Sequence, residues 1–143
     1  MKERYRDRKV VYTDGTFDLL HYNHMAFLRA ARELGDYLVV GVVSDRLCQT
    51  YKRLPILTQE ERLRTVRELG IAEEAFLLDG PFSAEVMEGI IETYNVSAVV
   101  YAGEQYDSYY GAATERGIMH RWPYREGINS SRIIDRIRAR KTI

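Results

Sequence analysis

The sequence predicts an α/β fold, a doubly wound parallel sheet of about five strands with helices on both faces. Three observations carry that expectation. Short apolar runs of strand length alternate along the chain with segments of helical period. The chain has 143 residues, the length of one domain and enough to bury a core without disulfides or metal staples. No repeat, low-complexity tract or linker interrupts the alternation, so residues 1–143 read as a single domain, with residues 1–8 as a flexible basic lead-in.

Taken in order, the strand candidates are Lys9–Thr13, Tyr37–Ser44, Ala75–Leu78, Ala98–Ala102 and Gly117–Arg121. A first helix is expected from Tyr22 to Leu34, ending at Gly35 as a C′ residue. A second opens at Thr58 with Glu61 completing a capping box, and puts Leu63, Val66 and Leu69 on one face. The third is capped by Ser83 after Pro81 and runs to about Tyr94. The last is capped near Asn129 or Ser130, with Ile133, Ile134 and Ile137 inward and Arg132, Arg136, Arg138 and Arg140 outward. Right-handed crossovers then bring the loops that follow the strands to one sheet edge, where ligands bind in such folds.

Composition narrows the function. Lys+Arg and Asp+Glu balance at 21 each, which argues against a nucleic-acid partner. The best apolar run, Leu38 to Val43, is far shorter than the ~20 residues of a membrane span, so membrane insertion is not expected. A single cysteine, Cys48, reads as a small buried hydrophobe or idle thiol and fits a cytoplasmic setting.

Three segments carry chemistry. In Gly15–His24, a glycine turn links a strand to a helix start, so His21 and His24, three residues apart, face one point in front of unpaired N–H groups. Lys52-Arg53-Leu54-Pro55 places adjacent cations on a proline-held loop. Tyr124-Arg125-Glu126-Gly127-Ile128-Asn129-Ser130-Ser131 brings a guanidinium, a glycine and small polar groups to a second helix N-terminus. Two helix ends and two basic loops imply a polyphosphate. The histidine pair alone also fits a packed helix start or metal ligation, although no third ligand accompanies it and Asp18 reads as a turn-stabilising residue, so no protein-held metal is expected. Tyr106–Tyr110 reads either as a loop that stacks on a base or head group or as ordinary surface. His120 is expected to be structural.

Gly15-Thr16-Phe17-Asp18-Leu19-Leu20-His21-Tyr22-Asn23-His24, with Leu34–Gly41, Thr58–Arg62 and Glu126–Ser131, resembles the cytidylyltransferase family of the HxGH nucleotidyltransferases in its GTFDLLHxGH, LGDYLVVG, (T/S)xEER and RTEGISTS elements. The resemblance is greatest to enzymes acting on glycerol 3-phosphate, phosphocholine or phosphoethanolamine. It implies a Rossmann-like nucleotidyltransferase domain that moves CMP from CTP to a small phosphorylated alcohol and releases pyrophosphate. It further implies His21, His24, Lys52 and Arg125 as catalytic residues, and Lys52, Arg53 and Arg62 at the substrate phosphate. Thr16, Phe17, His21, His24, Gly103, Arg125, Gly127, Ile128 and Ser130 would bind the nucleotide, with Mg²⁺ accompanying its phosphates, and a homodimer is expected.

The chain departs from the family pattern at Asn23, which replaces the glycine of HxGH. It departs again at Tyr124, where the family has arginine and Arg125 falls on threonine, and at Glu104-Gln105, where a GDD-like turn is usual. An adenylyltransferase of the same superfamily and a nucleotide-binding module without turnover therefore stand as alternatives.

Overall fold

The computed structural model describes residues 2–102, 108–123 and 125–142. Five strands form one parallel sheet, β1 (Val10–Gly15), β2 (Tyr37–Val43), β3 (Glu74–Leu78), β4 (Val96–Ala102) and β5 (Met119–Trp122), in the order β3-β2-β1-β4-β5. The order reverses between β1 and β4, which opens a crevice at the carboxyl ends of those strands.

Helices α1 (Tyr22–Arg32), α2 (Asp45–Gln49), α3 (Gln59–Leu69), α4 (Ala84–Tyr94), α5 (Ser108–Glu115) and α6 (Ser130–Ala139) complete the domain. Every residue of β2 is buried, because apolar side chains leave the strand toward both faces and both are covered. One cluster joins Val11, Leu38, Val40 and Val42 to Phe27, Leu28 and Val66 of α1 and α3. The opposite cluster joins Val10, Tyr12, Val39 and Val43 to Leu47, Met87, Ile90 and Tyr109 of α2, α4 and α5. Caps fall where the side chains predict: Thr58 and Glu61 form a reciprocal capping box, and Ser83 and Asn129 accept from Val86 N and Arg132 N.

Several expectations are corrected. Residues 2–8 are no loose lead-in: a 3₁₀ turn at Glu3–Tyr5 buries Tyr5 completely, edge-on to Tyr37 and Tyr94, with its hydroxyl donating to Glu74 at 2.6 Å. Gly35 does not take a left-handed C′ conformation; α1 ends at Arg32, and Gly35 is needed because a Cβ there would lie 2.2 Å from the carbonyl oxygen of Lys9. Ile137 is 49% exposed, not inward, since α6 rests on the domain mainly through its first turns. The segment read as an aromatic loop is helical from Ser108 onward, while Tyr106 and Asp107 lie outside the described residues.

Candidate active site

A pocket of about 330 Å³ opens at the crevice, walled by Asp14–Asp18, His21, Asn23 and His24, by Lys52, Arg53 and Pro55, and by Trp122 with Arg125 and Ile128–Ser130. The three segments singled out in the sequence thus meet, together with the N-termini of α1 and α6.

The turn after β1 is tight enough to put Phe17 and Leu19 at positive φ, 56° and 49°. Asp18 holds it from beneath: its buried carboxylate accepts the backbone N–H of Ile56 at 2.8 Å and of Leu57 at 2.9 Å, tying the basic loop to the histidine turn. His21 is the N-cap of α1, and its ring centroid lies 3.9 Å from that of His24. His21 N–H donates to Nδ1 of His24 at 3.2 Å, so neutral His24 carries its proton on Nε2. Burial, reinforced by the adjacent His21, lowers the His24 pKa to about 4, and burial lowers that of His21. The imidazoles are therefore neutral hydrogen-bonding groups at pH 7, and the positive charge of the pocket comes from Lys52, Arg53 and Arg125. Among the described residues, His21 Nδ1 is buried without a hydrogen-bond partner.

The far wall is the loop into α6. Arg125 stacks over Trp122, its guanidinium carbon 5.6 Å from the ring centroid. Gly127 has φ +113°, and a Cβ there would meet the Tyr22 hydroxyl at 2.7 Å, so glycine is required. Ser130 Oγ donates to Asp18 carbonyl at 2.8 Å, linking the N-terminus of α6 to the turn that precedes α1.

Arg62 does not reach the pocket, contrary to expectation. It is fully buried, donating to the carbonyls of Leu57, Thr16 and Val43 and pairing with Asp45 at 2.7 Å. It fastens the turn after β1 to α2 and α3, and is not among the residues that line the pocket. Thr16, Phe17, Lys52, Arg53, Arg125, Ile128 and Ser130 all line the cavity, Gly127 is not among the lining residues, and Gly103 lies outside the described residues.

Sequence reasoning missed Asp14. Its carboxylate accepts from the hydroxyls of Tyr109 and Tyr110, each at 2.6 Å, and of Tyr12 at 2.9 Å. Gly41 makes room for this network, because a Cβ would approach Tyr12 Oη to 2.5 Å. The only advance signal was an acidic residue ending an otherwise apolar strand.

Fold and pocket together define a Rossmann-like α/β protein with a ligand-sized pocket at the switch point of its sheet. The chain belongs to the cytidylyltransferase-like family, whose profile matches residues 12–136. It is 33% identical over 138 residues to an ethanolamine-phosphate cytidylyltransferase of Dictyostelium discoideum, covering 90% of this chain and 38% of that protein. It is 31% identical over 138 residues to the bifunctional protein HldE of Citrifermentans bemidjiense, covering 95% of this chain and 28% of that protein. The chain thus spans about a third of the length of these curated relatives. The crystal structure of the lipopolysaccharide core biosynthesis protein from Thermoplasma volcanium shares the fold, with a TM-score of 0.66 at 22% identity over 85% of this chain and 99% of that one.

Proposed function

We propose that this domain is a cytidylyltransferase that transfers CMP from CTP to a small phospho-amino-alcohol with release of pyrophosphate. The observation that carries the reading is the meeting of two helix N-termini, the His21–His24 pair and the Lys52 and Arg125 cations at one pocket. The family and the names of relatives such as the Dictyostelium protein support CTP and a phosphorylated amino alcohol.

In this reading an oxygen of the acceptor phosphomonoester, already anionic at pH 7, attacks the α-phosphorus in line. The bond from the α-phosphorus to the oxygen bridging it to the β-phosphorus breaks, and that oxygen leaves with pyrophosphate. No general base is needed. The task is to stabilise charge, and His24 Nε2–H, with its tautomer fixed by the bond from His21 N–H, is a donor for the transferring phosphoryl group. Lys52 neutralises the approach of two phosphates, Arg53 supports the acceptor, and Arg125 with the free amides of the α6 terminus takes the leaving end. Asp14, ringed by tyrosines, gives a negative, aromatic wall that suits a cationic amino alcohol better than a neutral diol.

A divalent cation such as Mg²⁺ belongs in this reading as a companion of the triphosphate. The carboxylates of Asp14 and Asp18 are already occupied by hydroxyl and amide donors, and among the described residues no cluster of three acidic, histidine or cysteine ligands occurs. A homodimer and a cytosolic setting complete the proposal.

The test is thermal protection by CTP, ATP and UTP, followed by pyrophosphate release with phosphoethanolamine, phosphocholine and glycerol 3-phosphate. CTP at 100 times its Kd is expected to add about 2.7 kcal/mol of stability. Protection by ATP instead would transfer the reading to an adenylyltransferase, and binding without release across the acceptors would leave a nucleotide-binding module.

A further inference from the structure

We infer that Asn23 is a positioning residue, a clasp that sets the α6 loop in its phosphate-receiving arrangement before any ligand arrives; this rests on the nucleotide reading of the pocket. Asn23 Nδ2 donates to the carbonyl of Ile128 at 2.9 Å, across 105 positions of sequence and between the two walls of the cavity. Both residues line that cavity.

The clasp controls more than one atom. A trans peptide is planar, with C=O and N–H pointing oppositely, so fixing the Ile128 carbonyl also fixes the direction of Asn129 N–H. The neighbouring groups are tied one by one: Arg132 donates to the Gly127 carbonyl, Asn129 Oδ1 accepts from Arg132 N at 2.8 Å, and Ser130 Oγ reaches Asp18 carbonyl. Among the described residues, the backbone N–H groups of Ile128, Asn129, Ser130 and Ser131 have no acceptor, so they are available together to an anion. Of these ties, the one at Ile128 comes from the position where the HxGH pattern has glycine, and glycine has no side chain with which to make it.

Free Asn23 therefore adds an interaction in the empty protein that a glycine would forgo, and its benefit appears as nucleotide affinity and not as the chemical step. Two variants, Asn23→Ala and Asn23→Gly, separate loss of the amide from loss of helix propensity. In the ligand-free protein both are expected to speed hydrogen exchange about tenfold at Arg132 and Ile133, whose N–H groups donate to Asn129, with exchange in β1 and β2 unchanged. In turnover both are expected to raise KM for CTP about tenfold and to leave kcat within about twofold.

Unchanged exchange at Arg132 and Ile133 overturns the clasp, whatever KM does, because Asn23 would then act on the ligand directly or not at all. A fall in kcat with unchanged KM also overturns it, placing Asn23 at the reacting atoms. Wild-type protein that gives no CTP-dependent turnover refutes the proposed function, while the exchange comparison still decides for or against the clasp.

Discussion

At His24, burial beside a second imidazole produces a neutral side chain with one defined donor, and this has consequences for stability as well as chemistry. Its folded pKa of about 4 lies below the ordinary 6.5, so the unfolded chain takes up the proton first as pH falls. Stability present above about pH 6.5 is then lost progressively toward pH 4. Urea unfolding at pH 7 and pH 4.5 should show a wild-type loss about 2 to 3 kcal/mol larger than that of His24→Gln. For activity, His24→Ala should lower kcat by about 10²- to 10³-fold with the fold intact by circular dichroism; a near-native kcat would remove the histidines from the mechanism. Arg62 makes the complementary case. Arg62→Met leaves Asp45 and the carbonyls of Thr16 and Val43 without their donor, and should cost about 3 to 5 kcal/mol in denaturant unfolding. The placement of the histidines was legible because it depends on local spacing at a helix start. Arg62 was misread because the spacing that puts it on the first turn of α3 says nothing of Asp45, the partner from a distant segment that draws it inward.

Among the elements, those with a strong period were readable and those held by tertiary contact were not. The apolar run 37–43 and the Thr58–Glu61 capping box each specify their structure within a few residues, and β2 and α3 follow. Helix α2 has only five residues, too short to display a period, and exists because Ser44 caps it through Leu47 N while Leu47 and Cys48 enter the core. Helix α5 mixes tyrosines with small residues, and its burial of Tyr109, Gly111, Ala112 and Ala113 follows from close packing on α4, which composition alone does not announce. The N-terminal 3₁₀ turn is the clearest such case: one tyrosine among charged residues finds a slot between Tyr37 and Tyr94. Tyr5→Ala should therefore destabilise the whole domain by about 3 to 5 kcal/mol, measured by urea unfolding, with no change in KM for CTP. A loss below about 1 kcal/mol would mean that the turn is only loosely docked.

For the molecule as a whole, the sheet order places the ends of β1 and β4, the basic loop and the α6 terminus around a single cavity, so long-range topology builds the site from three separate stretches. The convergence was foreseeable from the alternation of strands and helices. The Asp14–tyrosine wall and the Asn23–Ile128 clasp were not, since one needs side chains to meet across 95 positions and the other a side chain to meet a backbone carbonyl across 105. The most direct measurement of the central claim is product analysis by mass spectrometry after incubating the protein with CTP, phosphoethanolamine and Mg²⁺. CDP-ethanolamine is expected in one-to-one ratio with pyrophosphate. Unchanged CTP, with phosphocholine and glycerol 3-phosphate equally inert as acceptors, would contradict it.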